Sequence, residues 1–372
     1  MKRNNSLGAF FALLQSGLWA ETNKRFSLDR PVDWNEVYRL ATEQSVLGLV
    51  LAGIECLPSG QKPPKLELLQ WIGEIQMLEQ QNNEMNAFIG ELVDKMRKHG
   101  IYTLLVKGQG VAQCYEKPLW RSCGDVDFFL SYDNYQKAKA YLSKIAEHVE
   151  EEDKELLHLG MTIDSWVVEL HGYMRTQISF QMNRGIDEVQ HDLFYGGNVR
   201  SWMNDGTQVF LPGPNNDAIL IFTHYLQHFF IGGVGLRQIC DWCRLLWIYK
   251  DSLNHGLLES RIRKMGLMSE WKAFGAFAVK YLGMPVEAMP FYEVRWKKKA
   301  KKICEVVLNA GNFGHNQDYS YRQKYSGLRS YLITFFRRFC EFGKIVTIFP
   351  VDAPKFFCHY VMNRFMAKIR YQ

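Results

Sequence analysis

The sequence predicts an α+β fold in which a mixed segment of strands and helices lies between two helical segments. Apolar residues recur at helical spacing over residues 1–100 and again beyond residue 212. Between these segments, short runs rich in β-branched and aromatic residues alternate with turn-forming residues, which is typical of strands. We therefore predict an N-terminal helical subdomain at 1–100, an α/β core at 101–212, and a C-terminal helical domain at 213–372.

The composition is that of a globular protein. Of the 372 residues, 47% are hydrophobic and 23% are charged, which excludes wholesale disorder and fibrous classes. A chain of this length is expected to fold as about two to three units. The stretch closest to a membrane span, residues 219–236, is interrupted by His224, Gln227 and His228, so no span is predicted.

Neither the net charge nor the cysteines identify a binding partner or a metal ion. The net charge of +6 is modest, and the lysine-rich run at 297–302 favours a solvated helix face, although a contact with nucleic acid or phosphate is not excluded. Eight cysteines are scattered over the chain, which favours reduced thiols and a cytoplasmic location. Cys240 and Cys243 form a C-x-x-C pair, but no second pair completes a zinc site.

The first twenty residues have two interpretations. Lys2 and Arg3, followed by an apolar run, imitate a short signal peptide. Gln15 and Ser16 interrupt that run, and apolar residues at spacings of three and four favour a retained amphipathic helix that packs on the following helices. The apolar positions of this helix are Leu7, Phe10, Phe11, Leu14 and Leu18.

Start and stop signals place the other elements. Asp33 can cap the next helix, and a long helix at 66–98 ends at Gly100. Buried strands are predicted at 101–106 and 126–130. Further predicted elements are helices at 111–115 and 134–145, the latter capped by Asp133, a hairpin of 156–163 and 166–170 across Asp164 and Ser165, and helices at 218–230 and 236–249.

The strongest chemical signal is a pair of carboxylates. Asp125 and Asp127 stand two residues apart at the start of an apolar strand, so both side chains point to one face. Two such acids repel each other and are costly to bury unless cations neutralise them, as hard divalent ions such as Mg²⁺ or Mn²⁺ do. The alternative is a pair of strand-end acids that cap a turn.

A third acid is available further along the chain. Glu169 and His171 share one face of a later predicted strand. If that strand lies beside the strand of the Asp pair, three acids converge, which fits two-metal phosphoryl transfer. The alternative is that Glu169 is an exposed strand residue.

A glycine-containing turn precedes the Asp pair. Lys107, Gly108, Gln109 and Gly110 stand between a predicted strand and a predicted helix. Glycine lets backbone N–H groups approach a phosphate, a helix N-terminus adds a favourable dipole, and the lysine adds a positive charge. The alternative is a plain β-to-α turn. No G-K-[ST] follows, so a P-loop is not predicted.

The order of these features resembles a known family. The likeness is carried by Leu105-Val-Lys-Gly108, Tyr115, Pro118, Arg121-Ser-Cys-Gly-Asp-Val-Asp-Phe-Phe-Leu130 and Val168-Glu-Leu-His171. It extends over about residues 30–250 through Asp33-Trp34, Leu40-Ala41, Leu211-Pro, His224, Leu236-Arg237 and Asp241. The sequence resembles the uncharacterised nucleotidyltransferase family of the DNA polymerase β-like superfamily.

The resemblance implies a central polymerase β-like sheet with flanking helices, and it implies roles for individual residues. The implied metal-binding, catalytic acids are Asp125, Asp127 and Glu169, and the implied nucleotide-binding residues are Lys107, Gly108, Gln109 and Arg121. Arg121 would contact a phosphate or orient Asp125. No serine follows Gly108, which departs from the family pattern and removes the usual hydroxyl contact to the triphosphate.

Further residues are expected to line the nucleotide cleft. These are His171, His224, Arg237 and Asp241. Arg237 and Asp241 stand four apart on one helix face, so an ion pair between them is the alternative. His228, one turn after His224, favours helix packing over metal ligation.

The implied activity is transfer of a nucleoside monophosphate from a nucleoside triphosphate to an unknown hydroxyl acceptor. One alternative is a catalytically inactive nucleotide-binding or interaction protein on the same scaffold. Another is a toxin-like nucleotidyltransferase that acts on RNA or protein. The presence of all three acids favours an enzyme, whereas the missing serine favours the inactive scaffold.

Overall fold

The computed structural model describes residues 5–19, 27–28, 32–311 and 342–370. Helices surround a mixed five-stranded sheet, which confirms the predicted α+β class. The first segment contains α1 (Asn5–Leu18), α2 (Trp34–Glu43), α3 (Leu47–Glu55) and α4 (Lys65–Lys98). Asp33 caps α2 as predicted, because its side chain accepts a hydrogen bond from the N–H of Glu36.

The middle segment carries the strands. It contains β1 (Leu104–Val106), α5 (Gly108–Ala112), β2 (Asp125–Phe129), α6 (Tyr132–Leu142), β3 (His148–Val149), β4 (His158–Ile163), β5 (Trp166–His171), α7 (Phe180–Phe194), β6 (Val199–Asn204) and β7 (Thr207–Pro212). The residue that precedes α6 is Ser131, so the predicted cap Asp133 lies instead in the first turn of that helix.

The last segment is helical over its described residues, 213–311 and 342–370, as predicted. It contains α8 (Pro214–Ile231), α9 (Leu236–Ile248), α10 (His255–Met265), α11 (Met268–Tyr281), α12 (Lys297–Ala310) and α13 (Asp352–Arg370). The lysine run begins α12, where Ala300 is buried while Lys297, Lys298, Lys301 and Lys302 are exposed. Over the described ranges, no helix is long and apolar enough to cross a membrane.

The N-terminal helix packs on its neighbour with little space between the two backbones. Phe10, Leu14 and Leu18 of α1 are at most 1% exposed, in line with the predicted apolar stripe. A Cβ added at Gly17 would overlap the carbonyl oxygen of Leu49 on α3. Glycine therefore allows α1 and α3 to lie closer than any larger residue would permit.

The N-terminal helices also contact the C-terminal helices. The indole Nε1 of Trp19 donates to the carbonyl of Leu282 and the amide Nε2 of Gln15 to the carbonyl of Tyr281, both near the end of α11. Gln44 donates to the carbonyl of Val307 in α12 and accepts from the N–H of Leu236. Apolar residues from both ends of the chain thus share one core. The predicted unit boundaries at 100 and 212 stay a prediction.

The five-stranded sheet positions the candidate site. Its strand order is β1-β2-β5-β4-β3, with β2 and β5 parallel and the other pairs antiparallel. The predicted hairpin is confirmed as β4 and β5, joined through Asp164 and Ser165, which both have positive φ. The C-terminal half of α4 packs against this sheet and contributes Met85, Ile89 and Met96 to a second core.

Candidate active site

The three predicted acids lie on neighbouring strands. The parallel pairing of β2 with β5 places Asp127 directly beside Glu169, and Asp125 is two residues earlier on the same face of β2. One carboxylate oxygen from each of the three acids lies within 4.8 Å of the others. The predicted convergence of the carboxylates is therefore confirmed, while their roles as catalysts and metal ligands remain predictions.

A lysine and a histidine face the most buried of these acids. The Oδ1 atom of Asp127, a residue that is 2% exposed, lies 2.9 Å from Nζ of Lys107 and 2.7 Å from Nε2 of His171. Burial alone would raise the pKa of Asp127, but Lys107 and His171 together hold that pKa below its usual value. Burial likewise opposes the charge on Lys107, yet Asp127 gives a net rise in the lysine pKa. An ion-paired network thus lies within the acid cluster.

The third acid has its own histidine partners. Oε2 of Glu169 lies 3.3 Å from Nε2 of His158 and 3.4 Å from Nε2 of His171. The adjacent His158 and His171 hold the pKa of Glu169 far below its usual value against the effect of burial, so the carboxylate stays ionised. His158 was not identified from the sequence, although the two-residue turn of the predicted hairpin fixes His158 opposite His171.

The backbone at the predicted phosphate turn is unusual. Lys107 has φ 55° and ψ −143°, a conformation that non-glycine residues rarely adopt, and Gly108 has φ 35°. A Cβ at Gly108 would lie 3.1 Å from Sγ of Cys123, in the loop that leads into β2. The turn beside the Asp pair therefore has a strained backbone, which close packing against the loop before β2 holds in place.

Two features of this turn differ from the expected phosphate grip. α5 has only five residues, so its aligned peptide dipoles contribute little at its N-terminus. The side chain of Gln109 is 1% exposed and donates to Oδ1 of Asn82 on α4, away from the acids. A contact between Gln109 and a nucleotide would thus have to use its main chain.

Arg121 is bound to a buried carboxylate. Its Nε and Nη2 donate to the two carboxylate oxygens of Asp241 at 3.0 and 2.7 Å, and the hydroxyl of Tyr115 donates to the same Asp241 at 2.8 Å. Asp241 thus pairs with Arg121, a partner the sequence spacing did not suggest. Arg237 on the same helix donates to the carbonyl of Ser122. Helix α9 thereby fixes the loop that leads into Asp125.

A cavity of about 340 Å³ opens beside the acids. This volume lies at the lower end of the range for small-ligand sites. Of the predicted residues, it is lined by Lys107, Gly108, Arg121, Asp125, Asp127, Glu169, His171, His224, Arg237 and Asp241. Lining residues that were not singled out from the sequence include Leu156, His158, Tyr173, Met174, Gln227 and Gln238. Little in the sequence pointed to these residues, because they come from separate elements that only the tertiary fold brings together.

The histidines of α8 face this cavity as neutral side chains. Burial and the positive charge of Lys107 lower the pKa of His224 well below its usual value. The same two effects lower the pKa of His228 to about 4. The two rings lie 4.6 Å apart between centroids. Near neutral pH they therefore offer hydrogen-bonding groups without charge.

Three carboxylates on adjacent strands, beside cations and a cleft, define a site suited to binding metal-complexed phosphates. The family comparison agrees with this class. Residues 30–283 match the model of a family described as uncharacterised nucleotidyltransferase, and the chain belongs to that family. No curated protein and no solved structure matches the chain.

Proposed function

We propose that the protein is a metal-dependent nucleotidyltransferase that moves a nucleoside monophosphate from a nucleoside triphosphate to a hydroxyl acceptor. The observation that supports this most is the convergence of Asp125, Asp127 and Glu169 beside a cleft, in a chain that belongs to a nucleotidyltransferase family. An all-oxygen donor set suits Mg²⁺ or Mn²⁺. The proposal includes a polymerase β-like sheet arrangement and a cytoplasmic location, where nucleoside triphosphates are available.

The charge of the donor set fits a divalent cation. Burial and the nearby charge of Asp127 raise the pKa of Asp125, so the acid cluster still lacks positive charge despite Lys107 and His171. Asp125, Asp127 and Glu169 would hold the cation, which when bound polarises a phosphate and stabilises the charge that develops on it.

Lys107 and Arg237 are the cations we assign to the triphosphate. Nζ of Lys107 is bound to Asp127, and a phosphate that enters beside Gly108 offers this lysine a second anion. Arg237 lines the cleft. Its positive charge acts to lower the pKa of Asp125, although burial, which raises that pKa, has the larger effect. Arg121 is neutralised by Asp241, so its main role would be to position the loop before β2.

The acceptor would lie on the α8 side of the cleft. His224 and His228 supply neutral hydrogen-bonding groups there, next to Leu220 and Ile221. Among the three acids, Glu169 is the candidate for the general base that would accept the proton of the acceptor hydroxyl. Its lowered pKa makes Glu169 a weak base. We therefore assign Glu169 to orienting the acceptor hydroxyl as well as to holding the cation.

The direct test is incubation of the full-length protein with Mg²⁺ and each of four nucleoside triphosphates labelled at the α-phosphate. The expected result is label on an acceptor, supplied as metabolite extract, RNA or protein, together with release of pyrophosphate. Asp127→Asn should abolish labelling. Asp164→Asn, which removes an exposed acid at the turn of the β4–β5 hairpin, should leave it unchanged. Labelling that survives Asp127→Asn would exclude the proposed site.

A second candidate function is nucleotide binding without transfer. The observation that favours it is that the buried carboxylate of Asp127 is already paired with Lys107 and His171 of the protein itself. Calorimetry with and without Mg²⁺ separates the two functions. Binding that does not depend on Mg²⁺, together with no labelling of any acceptor, would favour the inactive scaffold.

A further inference from the structure

The β4–β5 hairpin carries three side chains that can bind a metal ion, His158, Glu169 and His171. The proposed transfer reaction uses Glu169 but does not require the three together. His158 pairs directly with His171 across the hairpin, and Glu169 precedes His171 by two residues on the same face. The histidine rings are tilted by 31° with centroids 4.8 Å apart. Two imidazoles and one carboxylate are thus fixed on paired strands.

The three ligand atoms are spaced as ligands of one ion would be. Nε2 of His158 and Nε2 of His171 lie 3.3 and 3.4 Å from Oε2 of Glu169. These distances exceed the usual length of a charged hydrogen bond, about 2.7–2.9 Å. A tetrahedral zinc site with bonds of about 2.0–2.1 Å has ligand-to-ligand edges of about 3.4 Å. One ligand atom from each of the three residues lies within 4.8 Å of a ligand atom from each of the others.

We propose that His158, Glu169 and His171 form a second metal site, which binds a transition-metal ion of the Zn²⁺ class and shares Glu169 with the three-acid site. Imidazole nitrogen is a good ligand for Zn²⁺ and a poor one for Mg²⁺, whereas the three-acid site offers only oxygen. The two sites therefore select different ions. This inference does not depend on the transfer reaction.

Metal binding requires one exchange of partners at His171. Its Nε2 has a single lone pair or a single proton, so it cannot both bind a metal and donate to Oδ1 of Asp127, 2.7 Å away. Asp127 would keep Nζ of Lys107 at 2.9 Å, so its buried charge retains a partner when His171 turns to the ion. The exchange thus leaves no buried charge unpaired.

The site is open enough for an ion to enter. The His158 side chain is 35% exposed and that of Glu169 is 28% exposed, and both residues line the cleft. A three-ligand site of this kind leaves a further coordination position for water or substrate. That position would face the same cavity as the acids.

The test is metal titration of the full-length protein after treatment with a chelator. Calorimetry with Zn²⁺ should show one tight equivalent, and Co²⁺ should give the visible absorption of a low-symmetry site that includes nitrogen ligands. His158→Gln should weaken Zn²⁺ binding by about 100-fold or more, because loss of an outer-shell partner alone costs about 10–100-fold and a ligand contributes more. His148→Gln replaces an exposed histidine on β3 of the same sheet and should bind Zn²⁺ like the wild type.

Asp125→Asn separates this inference from the proposed function. It should lose Mg²⁺-dependent nucleotide binding but keep the tight Zn²⁺ equivalent, because Asp125 is not among the three ligands. Circular dichroism confirms that each metal-free variant is folded. The second site is excluded if folded wild-type protein binds no Zn²⁺, if His158→Gln binds it as tightly as wild type, or if Asp125→Asn abolishes binding.

Discussion

Lys107 combines a charge in the site with a strained backbone, and two substitutions separate these contributions. Both Lys107→Ala and Lys107→Gly remove the cation beside Asp127, so both should weaken nucleotide binding by about 1–3 kcal/mol. Only glycine adopts φ 55° and ψ −143° without strain, so Lys107→Gly should be about 1 kcal/mol more stable than Lys107→Ala.

Calorimetry measures the affinity of each variant for the nucleotide, and urea unfolding measures the difference in stability between the two variants. Equal unfolding midpoints for the two variants would show that the backbone at Lys107 is not strained. Nucleotide binding unchanged in both would remove Lys107 from the phosphate site.

Asp241 lines the cleft, yet it is hydrogen-bonded to Arg121 and Tyr115 of the protein itself. A substitution distinguishes a role in stabilising the fold from a role in binding the nucleotide. Asp241→Asn would leave the guanidinium of Arg121 buried without its countercharge, which should destabilise the fold by about 3 kcal/mol. Tyr115→Phe removes one hydrogen bond to the same carboxylate and should cost about 1 kcal/mol. If Asp241→Asn unfolds like wild type yet loses nucleotide binding, Asp241 acts in the cleft instead.

At the residue scale, the sequence predicted local relationships better than distant ones. Strand alternation put Asp125 and Asp127 on one face of their strand, and Glu169 and His171 on one face of theirs, because the side-chain period of a strand is two. The pairing of Arg121 with Asp241 spans 120 residues and depends on how α9 packs, which no local pattern reveals. The spacing within α9 suggested Arg237 as a partner of Asp241, whereas the two hydrogen bonds from Arg121 to Asp241 were not predicted.

At the scale of elements, glycines decide how closely α1 approaches α3, and two positions on α1 form a matched pair. A Cβ at Gly17 would overlap the backbone of α3, whereas a Cβ at Gly8 has no atom within 4 Å. Gly8→Ala should therefore stabilise the protein by about 0.5–1 kcal/mol through helix propensity. Gly17→Ala should destabilise it by several kcal/mol, because backbone cannot move aside as a flexible side chain can.

Thermal unfolding of the two variants checks this prediction. Opposite shifts of Tm are expected. If both variants are stabilised, α1 does not lie against α3 as described, and the contacts of Trp19 with the C-terminal helices would be in doubt as well.

Elements bounded by turn-forming residues could be predicted from the sequence, whereas the order of the strands in the sheet could not. The turn at Asp164 and Ser165 between two apolar runs marked the β4–β5 hairpin correctly. An Asp205-Gly206 turn marks β6 and β7 equally well, but this hairpin was not predicted. The parallel pairing of β2 with β5, on which the acid cluster depends, joins strands about forty residues apart and follows only from tertiary packing.

At the scale of the whole molecule, the two ends of the chain stabilise each other. Arg244 of α9 illustrates this, since its guanidinium donates to the carbonyls of Leu18 and Cys114 and is 1% exposed. The active-site loop is thus tied to both helical segments. Composition and helical periodicity predicted the segments, but they do not specify which apolar faces meet, because many pairings bury similar area.

The pH dependence of global stability should carry the signature of one buried acid. Glu270 of α11 is fully buried, and burial together with the charge of Asp352 raises its pKa to about 8. Its unfolded-state pKa is about 4.3, so between pH 4.3 and 8 the folded state binds more protons than the unfolded state and stability falls as pH rises. Glu270→Gln removes this effect and should raise the free energy of unfolding by about 4 kcal/mol at pH 7, with the gain vanishing towards pH 4.3. Urea unfolding across this range measures it, with Glu91→Gln, an exposed ion-pair residue, as a control that should change little at any pH. A gain that does not depend on pH would show that Glu270 is already ionised in the folded protein.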